Sequence, residues 1–290
     1  MPPAPPRRFL LAIAAIFKRE NDYLREWLEY HRLVGVDHFY LYDDDGGAAA
    51  AQLLAPYAEA GVVTRHAWTH LDGTRYDRAT PLGQRNKNHL AFAHAARHHR
   101  REAQWLLKLD LDEFLVPVGA DSVRPALLAL DPRRWKGLRI PRWNFGSSGW
   151  LEKPPGLVSA SYLRREALPS NHKDLANGDF LSHNRFANSA HWWHYRWWRG
   201  GRLLRAERVA ALRIHHYYTK SRAEYLARQN TSGGRARTHA AFAAHDARAS
   251  AVEDPSLLRF QPELEARLAR ASARAEERAH SAKSQPWISL

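Results

Sequence analysis

The chain contains no cysteine in 290 residues, which excludes disulfides and thiolate metal sites and leaves only oxygen or imidazole to hold any metal. It also lacks a membrane-length apolar run. The nearest candidate, FLLAIAAIF at 9–17, falls well short of the roughly 20 residues a bilayer requires. That run follows Arg7 and Arg8 and meets Lys18-Arg19-Glu20 directly, without a small-residue cleavage site, so it reads as a buried strand and not a signal peptide. The expectation is a cytoplasmic protein, with peripheral membrane contact as the alternative. Acidic residues are in deficit: 30 Asp and Glu face 44 Lys and Arg, giving a formal charge of +14 and a pI near 10.3. Such a balance favours anionic partners, namely nucleotides, phosphorylated substrates, nucleic acid or an acidic membrane face. The basic residues are spread along the chain, so a solvated basic surface explains the charge equally well. Zinc-finger spacing, an RNA-recognition signature, a dense basic block and internal repeats are all missing, which makes nucleic acid the least favoured partner.

What is present suffices for a core. Hydrophobic residues make up 44% of the chain, with 11 Trp, 11 Tyr and 10 Phe, and the length suits one large α/β domain. After a short disordered N-terminus (1–8), the pattern predicts a strand at 9–17, a helix capped by Asn21 or Asp22 and ending near Gly35, and a strand in VDHFYLY. An alanine-rich helix at 48–59, a strand in VVTRHAW and a helix at 84–99 follow. This alternation predicts an α/β fold with a mostly parallel, Rossmann-like sheet flanked by helices. The pattern loosens beyond 119: VRPALLALDP looks helical, and 160–218 is aromatic and irregular. We expect one domain over 9–250 and a helical C-terminal extension over 251–290, built on a polar amphipathic helix at 257–283 that packs on the domain or frays.

Ligands of such sheets bind beyond the carboxyl ends of the strands. The polar residues at those points are Glu20, Asp43 to Asp45, and Asp110 with Asp112, all acidic in a basic chain. The last two lie in WLLKLDLDEFL (105–115), which reads as one continuous strand. Alternation along it puts Asp110 and Asp112 on one face and turns Glu113 away. Two adjacent carboxylates at a buried strand end need compensation, from arginine salt bridges or from a divalent cation such as Mn²⁺ or Mg²⁺ shared with a substrate diphosphate. For Glu113 the expectation is a salt bridge or a hydrogen bond to neighbouring backbone.

Taken in order, KREN-DYLREWLEYHRLVGVDHFYLYDDD, Gln84, WLLKLDLDEFLVP, WNFGSSGW, His172-Lys173 and IHHYYTKSRAEYLARQN resemble glycosyltransferase family 92 and family 2-like proteins of the GT-A fold, over roughly residues 9–235. The resemblance implies a transferase using a nucleotide-sugar, with UDP favoured, and a glycan or lipid-linked hydroxyl acceptor. It implies that Asp110 and Asp112 bind the metal, and that Glu20, Asp43 or Asp45, and Gln84 face the donor. Lys173 and Lys220 match positions where a cation holds the diphosphate, although either could be a surface lysine. His216 matches a family His-Tyr pair and is a candidate third metal ligand; the alternative is an ordinary core histidine. The family's FGSSGH pattern ends here in Trp150.

HWWHYRWWRGG (191–201), read as a strand, places Trp193, Tyr195 and Trp197 on one face and Trp192 and Trp198 on the other. Such rings stack on sugars, on bases or in a core. The resemblance also implies inversion at the anomeric carbon and therefore a general base, for which Asp174 is the first candidate and Asp179 the second, by position alone. Two other readings compete: a metal-dependent nuclease or phosphohydrolase, which would want a richer ligand cluster than one Asp-X-Asp, and a non-catalytic protein binding nucleic acid or anionic lipid.

Overall fold

FLLAIAAIF forms strand β1 (Phe9–Phe17), whose alternating side chains enter two different cores. Leu11, Ile13 and Ala15 pack with Trp27, Leu28 and Leu54, whereas Ala12 and Ala14 pack with Ala91, Phe92 and Ala95. A strand apolar on both faces is what a sheet covered by helices on both sides demands. The computed structural model describes residues 6–44, 47–69, 85–182, 191–196, 200–228 and 237–284.

Helix α1 (Asn21–Leu33), β2 (His38–Asp43), α2 (Ala48–Glu59), β3 (Val63–Ala67), α3 (Arg85–His98) and β4 (Ala103–Lys108) complete the first half. β1 runs parallel to both β2 and β4, and β2 runs parallel to β3. Their carboxyl ends therefore share one edge. The alternating pattern read from the sequence is present, and α2 occupies the alanine-rich segment foreseen for it.

The second half contains β5 (Glu113–Pro117), α4 (Arg124–Leu128), β6 (Trp135–Asn144), α5 (Val158–Ser161), β7 (Arg164–Arg165), β8 (Asn171–Asn177), β9 (Arg202–Leu204) and β10 (Leu212–His216). It closes with α6 (Arg222–Ala227), α7 (His239–Ala249), β11 (Val252–Glu253) and α8 (Gln261–Ser284). The main sheet has nine strands in the order β3-β2-β1-β4-β8-β6-β10-β5, with β9 paired to β6. β8 is antiparallel to β4 and β6, and β5 is antiparallel to β10, so the far half is mixed. These directions bring the end of β6, the start of β8, the end of β10 and the start of β5 to the edge where β1, β2 and β4 finish. Helix α8 packs on the domain: Leu264 is buried in the core and Arg25 of α1 donates to Ser272 Oγ at 3.0 Å.

Several local expectations change. WLLKLDLDEFL is not one strand: β4 stops at Lys108, a turn spans 109–112, and β5 crosses to the opposite side of the sheet. The helix read in VRPALLALDP is a single short one, α4. HWWHYRWWRGG is not a strand within the described residues, which show one isolated bridge between Leu181 and Tyr195; Trp197 and Trp198 lie outside them. Glu20, not Asn21 or Asp22, occupies the cap position of α1 and makes no capping bond with its side chain. No helix among the described residues is long and apolar enough to cross a membrane.

Candidate functional site

The turn after β4 collects the acids, and its shape undoes the alternation expected of a strand. Asp110 N–H donates to Glu113 Oε2 at 3.0 Å, folding Glu113 back toward Asp110. Lys173 of β8 then bridges them, its Nζ lying 2.8 Å from both Asp110 Oδ2 and Glu113 Oε2. The second oxygen of Glu113 accepts from Arg142 Nη1 of β6 at 2.9 Å. Glu113 thus joins Asp110 instead of turning away, and it has both the salt bridge and the backbone bond foreseen for it. Lys173 and Glu113 have no exposed surface. Burial alone would raise the Glu113 carboxyl, but the Lys173 and Arg142 charges outweigh it and bring it down to about 2. Burial opposes the charge of Lys173 too, yet Asp110 and Glu113 hold its pKa above the ordinary lysine value.

Asp112 belongs to a second group. Its Oδ2 accepts from Arg228 Nη2 at 2.6 Å, and its Oδ1 lies 3.4 Å from His216 Nε2. His216 ends β10, and its Nδ1 is 2.7 Å from Asn144 Oδ1 at the end of β6. Burial pushes the Asp112 carboxyl up; His216, Arg228 and Lys220 together hold it well below the carboxylate range. Arg228 also approaches Glu20 Oε1 at 3.8 Å. Glu20 is raised to about 7, by burial first and then by the Asp112 charge. Lys220 stands with its Nζ 3.3 Å from the centre of the Tyr23 ring. Tyr23 and Tyr162 both donate to Glu224, which closes a capping box with Ser221 at the start of α6.

Backbone strain marks the same region. Arg19 (φ 56°), Ser148 (φ 50°) and Lys220 (φ 52°) occupy the left-handed region that non-glycine residues seldom adopt. Arg19 adjoins Glu20, Lys220 neighbours the Arg228 group, and Ser148 sits in FGSSGW. Such conformations cluster where function requires a fixed geometry. Ser148 Oγ accepts from the backbone N–H of Leu163 at 2.8 Å and of Arg164 at 3.1 Å, so this residue holds the loop. Trp150 is 41% exposed, and its indole donates to Ser161 O at 3.0 Å. Beside His216 lies a cavity of about 220 Å³, lined by Arg142, Asn144, Glu166, Ser170 and Tyr218 among others.

The structure therefore brings Glu20, Asp110, Asp112, Lys173, Lys220 and His216 to one sheet edge. Asp43 ends β2 at that edge too, fully buried, with Arg65 Nε and Nη2 on its Oδ2 at 2.9 and 2.7 Å. Asp45 and Gln84 lie outside the described residues. Asp174 stands apart. Alternation along β8 turns it to the face opposite Lys173, where Arg139 Nε reaches its Oδ1 at 3.2 Å. Burial raises its carboxyl to about 6, against the lowering charges of Arg139 and Lys108. Asp179 pairs with Arg7. On that face Trp193 is buried with Lys108 Nζ 3.9 Å from its ring centre, while Trp192 is 47% exposed. Arg142, Asn144 and Arg228 were not singled out from the sequence, although Asn144 falls within WNFGSSGW and Arg228 within IHHYYTKSRAEYLARQN.

The residues here that could hold a divalent cation are Asp110 and Asp112, whose carboxylates suit a hard ion, and His216, whose imidazole is a softer ligand; Asp112 Oδ1 and His216 Nε2 face each other across 3.4 Å. Asp110 retains 36% exposure of its side chain, so one carboxylate is open to a ligand.

The profile of glycosyltransferase family 92 matches residues 7–130. A family 92 glycosyltransferase of Oryza sativa subsp. japonica is 27% identical over 187 residues, covering 63% of this chain and 29% of the rice protein. One from Arabidopsis thaliana is 26% identical over 220 residues, covering 71% of this chain and 35% of that protein. The chain thus spans about a third of the length of these curated relatives. Among solved structures, S. aureus TarS aligns over 73% of this chain and 37% of its own, at 12% identity and a TM-score of 0.38.

Proposed function

We infer, from the assignment to glycosyltransferase family 92 that the profile match and curated relatives support, that the chain transfers a sugar from a nucleotide-sugar donor to a hydroxyl acceptor. A UDP-sugar is the favoured donor and a glycan or lipid-linked hydroxyl the acceptor class, both by family resemblance. The observation that carries the reading is the meeting of Asp110, Asp112, His216, Arg228 and Lys220 where the parallel strands end.

In the proposed reaction the acceptor oxygen bonds to the anomeric carbon from the side opposite the diphosphate, whose C–O bond breaks, so configuration inverts. The acceptor proton passes to a general base; Asp174, the candidate by sequence position, is fully buried on the face of β8 opposite Lys173, where Arg139 holds it, and is not placed to take that proton. A divalent ion of the Mn²⁺ or Mg²⁺ class, held by Asp110, Asp112 and His216, would neutralise charge on the departing nucleoside diphosphate. Lys173 bridges Asp110 and Glu113 and fixes the turn that presents Asp110; its charge lowers the Glu113 carboxyl, while burial leaves Asp110 raised despite it. Asn144 orients His216 through Nδ1, leaving Nε2 directed at Asp112. Arg228 and Lys220 place positive charge beside Asp112, where an anionic diphosphate is stabilised.

A thermal-shift screen of UDP, GDP, CDP and their sugars, with and without Mn²⁺, tests the reading, since a ligand of the native state raises apparent stability. The expected result is a rise in Tm with one nucleotide class that grows when Mn²⁺ is added. No shift with any nucleotide, under either condition, would count against a nucleotide-sugar site.

A further inference from the structure

At the edge of the sheet formed by β3, three histidines meet. His66 lies on edge strand β3, His94 on α3, and His99 just beyond the end of that helix. One donor atom from each falls within 4.8 Å of the others. His66 Nε2 and His99 Nε2 are 3.2 Å apart. Two imidazole nitrogens bound to one tetrahedral Zn²⁺ at about 2.0–2.1 Å stand roughly 3.3–3.4 Å from each other. The observed spacing matches that separation.

Two of the rings have further hydrogen-bond partners. His99 Nδ1 lies 2.9 Å from Glu102 Oε1, and the other Glu102 oxygen accepts from the Tyr40 hydroxyl at 3.0 Å. This carboxylate accepts a hydrogen bond from Nδ1–H, which leaves the Nε2 lone pair directed toward His66. His94 Nδ1 is 2.9 Å from the Tyr42 hydroxyl. Tyr40 stacks on His99 and Tyr42 on His66, with ring centres 3.8 and 4.8 Å apart, so the rings have fixed planes. Carboxylate and hydroxyl partners behind ligating imidazoles recur in metal sites, where they set tautomer and orientation.

We propose that His66, His94 and His99 form a site for a borderline divalent transition-metal ion of the Zn²⁺ class, pinning α3 to the edge strand of the sheet. Three imidazoles with no carboxylate in direct contact select nitrogen-loving ions over Mg²⁺ or Ca²⁺. Burial lowers all three below the ordinary histidine value, toward the neutral form in which imidazole binds metal. Three protein ligands leave a fourth position for water. The competing arrangement is a plain hydrogen bond between His66 and His99 within a packed aromatic cluster.

Calorimetric titration of the chelator-treated, dialysed 290-residue chain with Zn²⁺, paired with Co²⁺ absorption spectroscopy, separates the two. The wild type is expected to take up one Zn²⁺ per chain, and Co²⁺ at the same site should show the intense visible bands of low-coordinate cobalt. His94→Gln should lose this binding, and Asp112→Asn and the exposed His239→Gln should keep it. Glu102→Gln removes no ligand and should weaken affinity by about 10–100-fold. It supplies the decisive comparison if His94→Gln fails to fold by circular dichroism. The proposal is overturned if the wild type takes up no stoichiometric Zn²⁺, if folded His94→Gln binds as the wild type does, if Glu102→Gln leaves affinity unchanged, or if Asp112→Asn alone abolishes binding.

Discussion

Replacing Lys173 by methionine removes the cation that touches both Asp110 and Glu113 at 2.8 Å, from a position with no exposed surface. The consequences for its partners differ. Asp110 is 36% exposed and can be solvated when its partner goes, so its share of the loss is small, as for surface pairs generally. Glu113 is fully buried and keeps only Arg142, at 2.9 Å, of the two cations that now hold it. Breaking a buried pair by removing one partner costs about 3–5 kcal/mol, and the surviving Arg142 contact points to the lower end, about 3 kcal/mol. Glu113→Gln in the same chain removes the stranded charge. The double variant should then be less destabilised than the sum of the singles, with a coupling of about 2 kcal/mol. Urea unfolding of the wild type, both singles and the double, followed by circular dichroism, measures the cycle. A loss below about 1 kcal/mol for Lys173→Met, or additive singles, would refute the claim that this lysine stabilises the turn through Glu113.

Glu26→Gln should cost about 1–3 kcal/mol in the same assay, because Glu26 accepts from Val158 N–H at 2.9 Å, Ser159 N–H at 3.0 Å and Ser159 Oγ at 2.8 Å, and glutamine turns one acceptor into a donor facing donors. A loss under about 0.5 kcal/mol would contradict that role. Asp174→Asn should become progressively more stable relative to the wild type as pH rises from about 4 to about 6. The wild-type carboxyl rises from 3.8 to about 6 on folding, so the folded chain holds the proton more tightly across that window and the ionisation penalty is complete above it. A Tm difference that does not change with pH between 4 and 6.5 would show that Asp174 ionises as freely in the folded chain as in the unfolded one.

The legible parts of this fold are those whose signal is local. β1 and α2 coincide with their sequence patterns because an unbroken apolar run and an alanine-rich stretch before Gly61 each specify one element without outside help. The break inside WLLKLDLDEFL has no such signal. Leu109 and Leu111 are buried on either side of Asp110, so hydrophobicity continues through the turn, and the partner that holds Asp110 there, Lys173, lies 63 residues away. β8 was invisible for a related reason: NHKDLAN is a polar segment by composition, yet Lys173, Asp174 and Asn177 are buried at the sheet centre, compensated by partners from β4, β6 and the turn. The edge carrying the candidate site was readable, since Glu20, Asp43 and Asp110 follow adjacent parallel strands. The grouping of the acids was not: Asp110 pairs with Glu113 and Asp112 with His216, because a turn replaces the strand on which alternation had joined the two aspartates. His66 comes from a different element from His94 and His99, so no local spacing in the sequence shows their cluster.

The central claim is that the edge holding Asp112 performs metal-assisted sugar transfer. It is tested most directly by measuring nucleoside diphosphate release from the nucleotide-sugar that shifts Tm, with an acceptor mixture present, for wild type and Asp112→Asn, each with Mn²⁺ and with chelator. The account predicts acceptor-dependent release by the wild type in Mn²⁺, with at least a 100-fold drop, about 2.7 kcal/mol of transition-state stabilisation, in Asp112→Asn and in chelator. Equal release by wild type and Asp112→Asn in Mn²⁺, or undiminished release by the wild type in chelator, would contradict it.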